Sequence, residues 1–316
     1  MGILSGMSFL KRLVEGLIVV WAVVTLAFFA LRLGRVDPMA ALLSQGLATR
    51  QQAADMRRSL GLDRPLLAQY ADYLGSAARG DLGRSIFSGQ DVAAMIAAAA
   101  GYTVPLAVAA WLLAVIFGIA SGGIASRRDE PGPRGRIARV TAALLAIGAA
   151  TPVAWSGLIL LWASVPLLSA AGAEPLRAAL RLLMPAGALA LTVGCSLGRA
   201  AETSIRQSRG EPFRLALLAH GFPRGIRFDW RLLRAYLAPV LALAGMEAAF
   251  LLGGTMITEV VFARPGLGRM LVDAILRGDF PVVQAVLGLA ALGYVFFGIV
   301  ADFAAAAFDP RLREVR

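Results

Sequence analysis

The residues that could perform chemistry are few in this chain of 316 residues. Lys11 is its single lysine and His220 its single histidine. A glycine-rich phosphate loop needs a lysine after its second glycine, and a two-histidine metal site needs a second histidine that this chain lacks. A serine–histidine triad would have to use His220. We therefore predict no catalytic residue, no metal site and no cofactor bound by this chain itself.

The two remaining reactive side chains do not change that prediction. Because no nucleophile or carboxylate partner is apparent near His220, we expect it to face solvent or a partner. Cys195 is the single cysteine and stands inside an apolar segment, which excludes an internal disulfide.

Carboxylates inside apolar segments are the other candidates, because an ionisable side chain within a membrane is costly and usually functional. Glu247 and Asp302 fit this description. Two roles stay open for Glu247, which either lines a water-filled path or bonds a neighbouring helix. Asp302 and Asp309 are expected to pair with loop arginines, and Glu259 to anchor the turn after it. Glu247 and Asp302 also keep an alternative function open, a secondary transporter or channel that works alone.

Composition indicates a membrane protein. The chain is 58% hydrophobic and 16% charged, and its mean hydropathy is +0.71. A soluble protein has an apolar share of about half. The net charge of +11 does not indicate nucleic-acid binding, because the basic residues lie in the gaps between apolar runs without an aromatic-studded basic face. Loops facing the cytoplasmic membrane surface explain this charge better.

Long apolar stretches predict six membrane spans in an all-α, polytopic fold. The predicted spans are residues 17–31, 103–125, 140–173, 182–198, 239–261 and 282–301. Pro152 is expected to kink the third span, while Glu247 and the Gly253–Gly254 pair interrupt the fifth. We predict a short outside turn around Glu174 and a polar turn over residues 264–281.

A polar segment follows the first span, at residues 34–91. Its apolar residues recur at helical spacing, which predicts a folded, exterior segment that contacts a partner or caps the membrane mouth. These residues are Leu60, Leu62, Leu66, Leu67, Tyr70, Tyr73 and Leu74. We accordingly divide the chain into an N-terminal tail with the first span (1–33), an exterior segment (34–98) and a membrane core (99–316).

Arginines define the orientation of the chain and its most unusual loop. Basic residues cluster before the first span, over residues 127–139, over 206–234 and in the C-terminal tail, which predicts that both termini are cytoplasmic. The stretch 206–239 carries seven arginines against Glu211 and Asp229. We expect two short helices joined at Gly221 that present a knob to a partner protein, although an ordinary basic cytoplasmic loop is an open alternative.

Several motifs resemble one known family. Residues 251–269, LLGGTMITEVVFARPGLGR, together with Asp279-Phe280-Pro281 and Asp309-Pro310-Arg311, look like the C-terminal signature of bacterial ABC-importer permeases for dipeptides, oligopeptides and nickel. Upstream, residues 60–66 and 80–85 are similar to the exterior segment of the first of the two paired permeases in such systems. The resemblance covers nearly the whole chain.

This resemblance implies a type I ABC-importer permease fold in the bacterial inner membrane, with residues 34–98 in the periplasm. The loop between the fourth and fifth spans would dock in a groove of an ATPase subunit and transmit its closure. The implied coupling residues are Glu211, Ala216, His220, Gly221, Phe222, Arg224, Arg227 and Pro239.

The other implied site residues belong to three groups. Those of the translocation path or gate are Glu247, Gly253, Gly254, Thr255 and Glu259, those of a periplasmic turn are Pro265, Gly266 and Gly268, and those of an inner-end anchor are Asp302, Asp309 and Arg311.

The implied partners are a second homologous permease, two ATPase subunits that bind ATP and magnesium, a periplasmic or lipid-anchored substrate-binding protein and membrane lipid. The chain departs from the family pattern at Leu218 and His220, where basic residues are usual, and at Glu202, where arginine is usual. Arg35-Val36 replaces a Pro-Gly pair. That replacement and the Gly-Gly-Thr-Met-Ile run favour nickel-type or opine-type members.

Overall fold

The computed structural model describes residues 3–34, 37–44, 46, 48–210 and 230–308. In this part of the chain the backbone forms eleven α-helices. They are α1 (Ile3–Leu33), α2 (Pro38–Ser44), α3 (Arg50–Ser59), α4 (Leu66–Ala78), α5 (Val92–Ala125), α6 (Pro133–Ala150), α7 (Val153–Ala170), α8 (Glu174–Gly210), α9 (Trp230–Val261), α10 (Leu267–Arg277) and α11 (Phe280–Phe308). The all-α prediction is confirmed, and a helical segment, α2 to α4, follows the first apolar helix.

Four of these helices are each long and apolar enough to cross a membrane, and two bent pairs raise the number to six if each pair counts as one span. The four are Leu10–Leu33, Val92–Ala125, Glu174–Gln207 and Phe280–Ala301, and the bent pairs are Pro133–Ala150 with Val153–Leu167 and Pro239–Leu251 with Gly253–Val261. Each of the six predicted spans therefore has a counterpart among the described residues.

The third predicted span is broken rather than kinked. Helices α6 and α7 meet at 107°, with Thr151 and Pro152 between them. Proline pushes the preceding residue out of the helical region, and Thr151 is extended, with φ −80° and ψ 123°. Pro152 thus ends one helix and precedes the next.

The bend in the fifth predicted span lies at the glycine pair and not at Glu247. The segments Pro239–Leu251 and Gly253–Val261 are inclined at 51°. Helix α9 continues through Glu247 and begins at Trp230, ahead of the predicted start at residue 239.

The predicted polar turn at residues 264–281 is wrong for its central part, which is helix α10. Charged residues made this stretch look like a loop, but its buried residues Gly268, Leu271 and Ala274 recur every three residues on one face. Gly278 ends the helix in the left-handed conformation, with φ 75°, as glycine does most readily.

Helix α8 also begins earlier than predicted. Glu174, expected in an outside turn, is its first residue, and a carboxylate is favourable in the first helical turn. Likewise, the alanine-rich stretch before the second predicted span is not separate from it, because α5 runs unbroken from Val92 to Ala125.

The helices form two compact units. Unit 1 holds residues 1–103 and 263–295, and unit 2 holds residues 104–262 and 296–316, so α5 and α11 contribute to both.

Aromatic packing fixes α4 on the end of α1 within unit 1. Phe28 is fully buried and stacks on Tyr73, with the ring centroids 5.6 Å apart. The Arg32 guanidinium lies 3.6 Å from the Phe28 ring centroid, and Arg32 Nε donates to Gln69 Oε1 at 2.9 Å. Burial raises the pKa of Tyr73 and the charge of Arg32 partly opposes this rise, so the ring stays neutral in the packed state.

A buried carboxylate, Asp279, joins the start of α11 to the segment before α5. It accepts hydrogen bonds from Ser85 Oγ and from the Ile86 backbone N, the latter at 3.1 Å. Ser85 Oγ in turn accepts from the Ser88 backbone N at 3.1 Å. Because Ser85, Ile86 and Asp279 are buried, losing the carboxylate leaves a buried donor unsatisfied.

Glycines bring α5 and α8 into backbone contact within unit 2. A Cβ on Gly122 would lie 2.4 Å from the Gly198 carbonyl oxygen, and one on Gly118 would lie 2.9 Å from the Gly194 carbonyl oxygen. Both helices therefore carry glycines four residues apart at their contact, the small-residue pattern that lets membrane helices approach closely.

Replacing Gly122 by alanine is expected to destabilise unit 2 by about 1–3 kcal/mol, because the added methyl group overpacks the contact with α8. Thermal unfolding of the detergent-purified protein measures this. Gly123→Ala is the matched control, since no atom of the described residues lies within 4 Å of its Cβ position. Equal unfolding temperatures for the two variants would contradict the close packing.

Asp279→Asn is expected to raise the amide hydrogen-exchange rate of the segment containing Ile86, because one buried donor loses its acceptor at a cost of about 1–3 kcal/mol. Mass spectrometry in nanodiscs measures the exchange. Asp273→Asn serves as control, since that carboxylate is 52% exposed and its 3.8 Å contact with Arg269 contributes little. An unchanged rate in Asp279→Asn would contradict the bond's role.

Candidate functional site

The structure describes the two ends of the predicted coupling loop at residues 206–234, which contains the predicted coupling element at residues 211–231. Helix α8 ends at Gly210, and α9 begins at Trp230. The predicted coupling residues between them lie outside the described residues: Glu211, Ala216, His220, Gly221, Phe222, Arg224 and Arg227. Of the two helices that border the element, α8 is the one whose side-chain contacts near the element the structure describes.

Four charged side chains join the end of α8 to the turn between α5 and α6. Arg128 Nη1 lies 3.0 Å from Glu202 Oε1, and Arg206 Nη1 lies 3.0 Å from Asp129 Oδ2. Glu202 and Arg206 lie one helical turn apart on α8, and their partners Arg128 and Asp129 are neighbours in the turn. Helix α8 supplies the acidic member of one pair and the basic member of the other. We call these four residues the charge bracket.

Glu202 is the buried member of the charge bracket. Its side chain is 8% exposed, whereas that of Arg128 is 44% exposed. Removing the partner of a buried charge is strongly destabilising, so this pair resists separation of α8 from the turn. The bracket also places the arginine-rich α5–α6 connection and Arg206 at the same end of unit 2, as expected for two loops on one side of a membrane.

The predicted path residues on α9 divide into a half-buried and a fully buried group. Glu247 is half-buried, between the exposed side chains of Met246 and Phe250. Pro239, expected to open the span, is exposed and lies inside the helix.

Thr255, Thr258 and Glu259 are fully buried and share one face of α9. Thr258 Oγ1 donates to the Gly254 carbonyl at 3.0 Å. A Cβ on Gly254 would lie 2.9 Å from Leu189 Cδ2, which shows that α9 packs on α8 beside the bend. These residues face protein in this structure, and their role in a path or gate remains a prediction.

The remaining predicted residues lie at the ends of other elements. Gly266 is the residue before α10, Pro265 precedes it and Gly268 is buried in the first turn. Asp302 lies in α11, while Asp309 and Arg311 are outside the described residues. The predicted anchor at the inner end therefore stays a prediction.

Unit 1 contains a cavity of about 450 Å³ between α10 and the residues around the start of α5. Its wall combines aromatic rings, at Phe87 and Tyr102, with charges from Arg269, Asp273 and Arg277. Aromatic rings and charges of both signs therefore share one cavity wall in unit 1.

Sequence reasoning missed the charge bracket and α10. Glu202 drew notice only as a departure from a family pattern, and nothing local indicates that Arg128 is its partner. For α10 a signal was present, the recurrence of Gly268, Leu271 and Ala274 at helical spacing.

Comparison with known proteins agrees with this all-helical arrangement. Residues 114–314 match the family described as "Binding-protein-dependent transport system inner membrane component". The probable peptide ABC transporter permease protein y4tP of Sinorhizobium fredii is 32% identical over 98% of this chain and 99% of its own length. The glutathione transport system permease protein GsiC of Escherichia coli O6:H1 is 32% identical over 96% of this chain and 98% of its own length.

The family match and the two relatives each extend over most of the chain, and the apolar helices agree with a multi-pass protein of the inner membrane. The chain therefore belongs to the family of inner-membrane components of binding-protein-dependent transport systems, and it is an ABC-importer permease subunit.

Proposed function

We propose that this permease forms half of a translocation pathway for peptides, including short ones such as glutathione. The observation that carries the proposal is the end-to-end similarity to two permeases whose names state peptide and glutathione transport. Those names give no support to the nickel-type or opine-type specificity that the departures at Arg35-Val36 favoured.

The proposed partners are a second permease, two ATPase subunits and a substrate-binding protein outside the membrane. Magnesium and ATP belong to the ATPase subunits, and the chain described here contributes no catalytic group. Its proposed orientation places both termini in the cytoplasm. The cavity of unit 1, with aromatic rings and charges of both signs, is the surface we assign to contact with the binding protein.

Coupling is proposed to run through residues 211–231. Closure of the ATPase subunits on ATP displaces this element, and the helices that border it, α8 and α9, change tilt and open the pathway to the loaded binding protein. ATP and cargo drive this cycle only because each binds the two states with different affinity. The fully buried contacts of α8 with its neighbours support this role, since a closely packed helix transmits a displacement instead of absorbing it.

The alternative of a stand-alone transporter is not favoured. Family membership supports an energy source in other subunits, and Glu247 is only half-buried on α9. We retain Glu247 as a path-lining residue of the importer.

Replacing Gly221 with tryptophan is expected to abolish uptake and substrate-stimulated ATP hydrolysis while the permease pair still assembles, because a bulky residue prevents docking of the coupling element. Uptake of radiolabelled glutathione and of trialanine by cells carrying the whole transporter measures the effect. Gly172→Trp is the control, since Gly172 lies in the turn before α8 and no described residue comes within 4 Å of its Cβ position. Normal uptake by Gly221→Trp would contradict the proposal.

Proteoliposomes that contain only the permease pair are expected to take up neither peptide, whereas adding the ATPase subunits, the binding protein and ATP restores uptake. The reason is that the permease chain has no phosphate-binding loop of its own. Uptake in the absence of the ATPase subunits would instead establish the stand-alone transporter.

A further inference from the structure

The charge bracket lies directly before the proposed coupling element. Arg206 is five residues ahead of Glu211 on the same stretch of chain, and it contacts Asp129 in the α5–α6 turn. Glu202, one helical turn earlier, contacts Arg128 in the same turn. A displacement of the coupling element therefore reaches these contacts through one continuous helix.

Charge attraction, rather than aligned hydrogen bonding, holds the bracket. Within the part of the chain that the structure describes, Glu202 Oε1 and Arg206 Nη1 are buried atoms without a hydrogen bond, although each lies 3.0 Å from its ion-pair partner. Such a contact depends on the signs of the two charges more than on donor geometry, and burial of Glu202 reduces the screening by water.

Below the bracket, α5 and α8 touch at their glycines. Gly122 meets Gly198 and the Ala201 side chain, and Gly198 also faces Leu145 of α6. The three helices α5, α6 and α8 therefore lack space to slide independently at this level. The charge bracket lies at the end of this three-helix contact that is nearest the coupling element.

We propose that Arg128 and Glu202 are positioning residues for energy coupling: their ion pair makes the α5–α6 turn follow α8 when the coupling element is displaced. This inference rests on the proposed function of residues 211–231. Without the pair, α8 moves while the turn stays behind, and ATP hydrolysis proceeds with less uptake per ATP.

The test compares Glu202→Arg, Arg128→Glu and the double variant in the complete transporter, reconstituted with its ATPase and binding-protein subunits and supplied with radiolabelled glutathione and trialanine. Each single variant brings like charges together and is expected to lower uptake per ATP hydrolysed by roughly tenfold, because it replaces attraction by repulsion at the buried position 202. The double variant restores an attractive pair and is expected to recover at least about half of the coupling. Recovery is partial because the arginine introduced by Glu202→Arg would stand one helical turn from Arg206.

Two further variants separate positioning from loss of folding. Glu202→Asp keeps the charge and is expected to retain more coupling than Glu202→Gln, at equal amounts of assembled complex. The matched control is Glu174→Arg at the opposite end of α8, where the contact with Arg181 is 3.2 Å and both side chains are more than half exposed. This variant is expected to leave uptake per ATP unchanged.

The outcomes distinguish this inference from the proposed function. If Gly221→Trp abolishes uptake but Glu202→Arg keeps full coupling, or the double variant recovers no more than the worse single variant, the positioning role is overturned while the proposed function stands. If Gly221→Trp leaves uptake normal, the proposed function itself fails.

Discussion

The rest of unit 2 depends on the approach of α5 and α8 at Gly118, Gly122, Gly194 and Gly198. Lipid tails offer helices no hydrophobic reason to associate, so membrane helices rely on close packing and on hydrogen bonds between them. Glycines supply the closeness here. Glycine has a low helix propensity, and its presence inside these long helices therefore needs a reason. The close contact between α5 and α8 supplies it, because this packing compensates for the lost helix propensity.

Polar contacts supplement this packing where backbones are already near. Trp111 Nε1 donates to the Ala244 carbonyl at 2.8 Å, which joins α5 to α9, and Ser156 Oγ donates to the Ala188 carbonyl at 3.1 Å, which joins α7 to α8. With Glu202 held by Arg128 at its end, α8 is bound along its length by different kinds of contact: glycine backbones, a hydroxyl and an ion pair. A helix held in this way has little freedom to move independently of its neighbours.

How much the sequence predicts depends on whether the determining interaction is local. Apolar stretch length predicted the six spans, and Pro152 and the Gly253–Gly254 pair marked the breaks, because proline and glycine act on their own backbone. The angle at Pro152 was not predictable, since packing against other helices sets it. Helix α10 was missed because residues 264–281 were interpreted as a polar turn, although Asp273 and Arg277 are exposed on one side of an amphipathic helix. The pairing of Arg128 with Glu202 joins distant parts of the chain, which no local pattern indicates.

The central claim is that α5 and α8 move as one body while the coupling element is displaced. Spin labels at Ile124 and Thr203, both exposed, measure it directly by electron paramagnetic resonance in a Cys195→Ala background of the complete transporter. The account predicts that the distance between the labels changes by less than about 2 Å between the nucleotide-free and ATP-trapped states. A change of about 5 Å or more, the length of a helical turn, would contradict it.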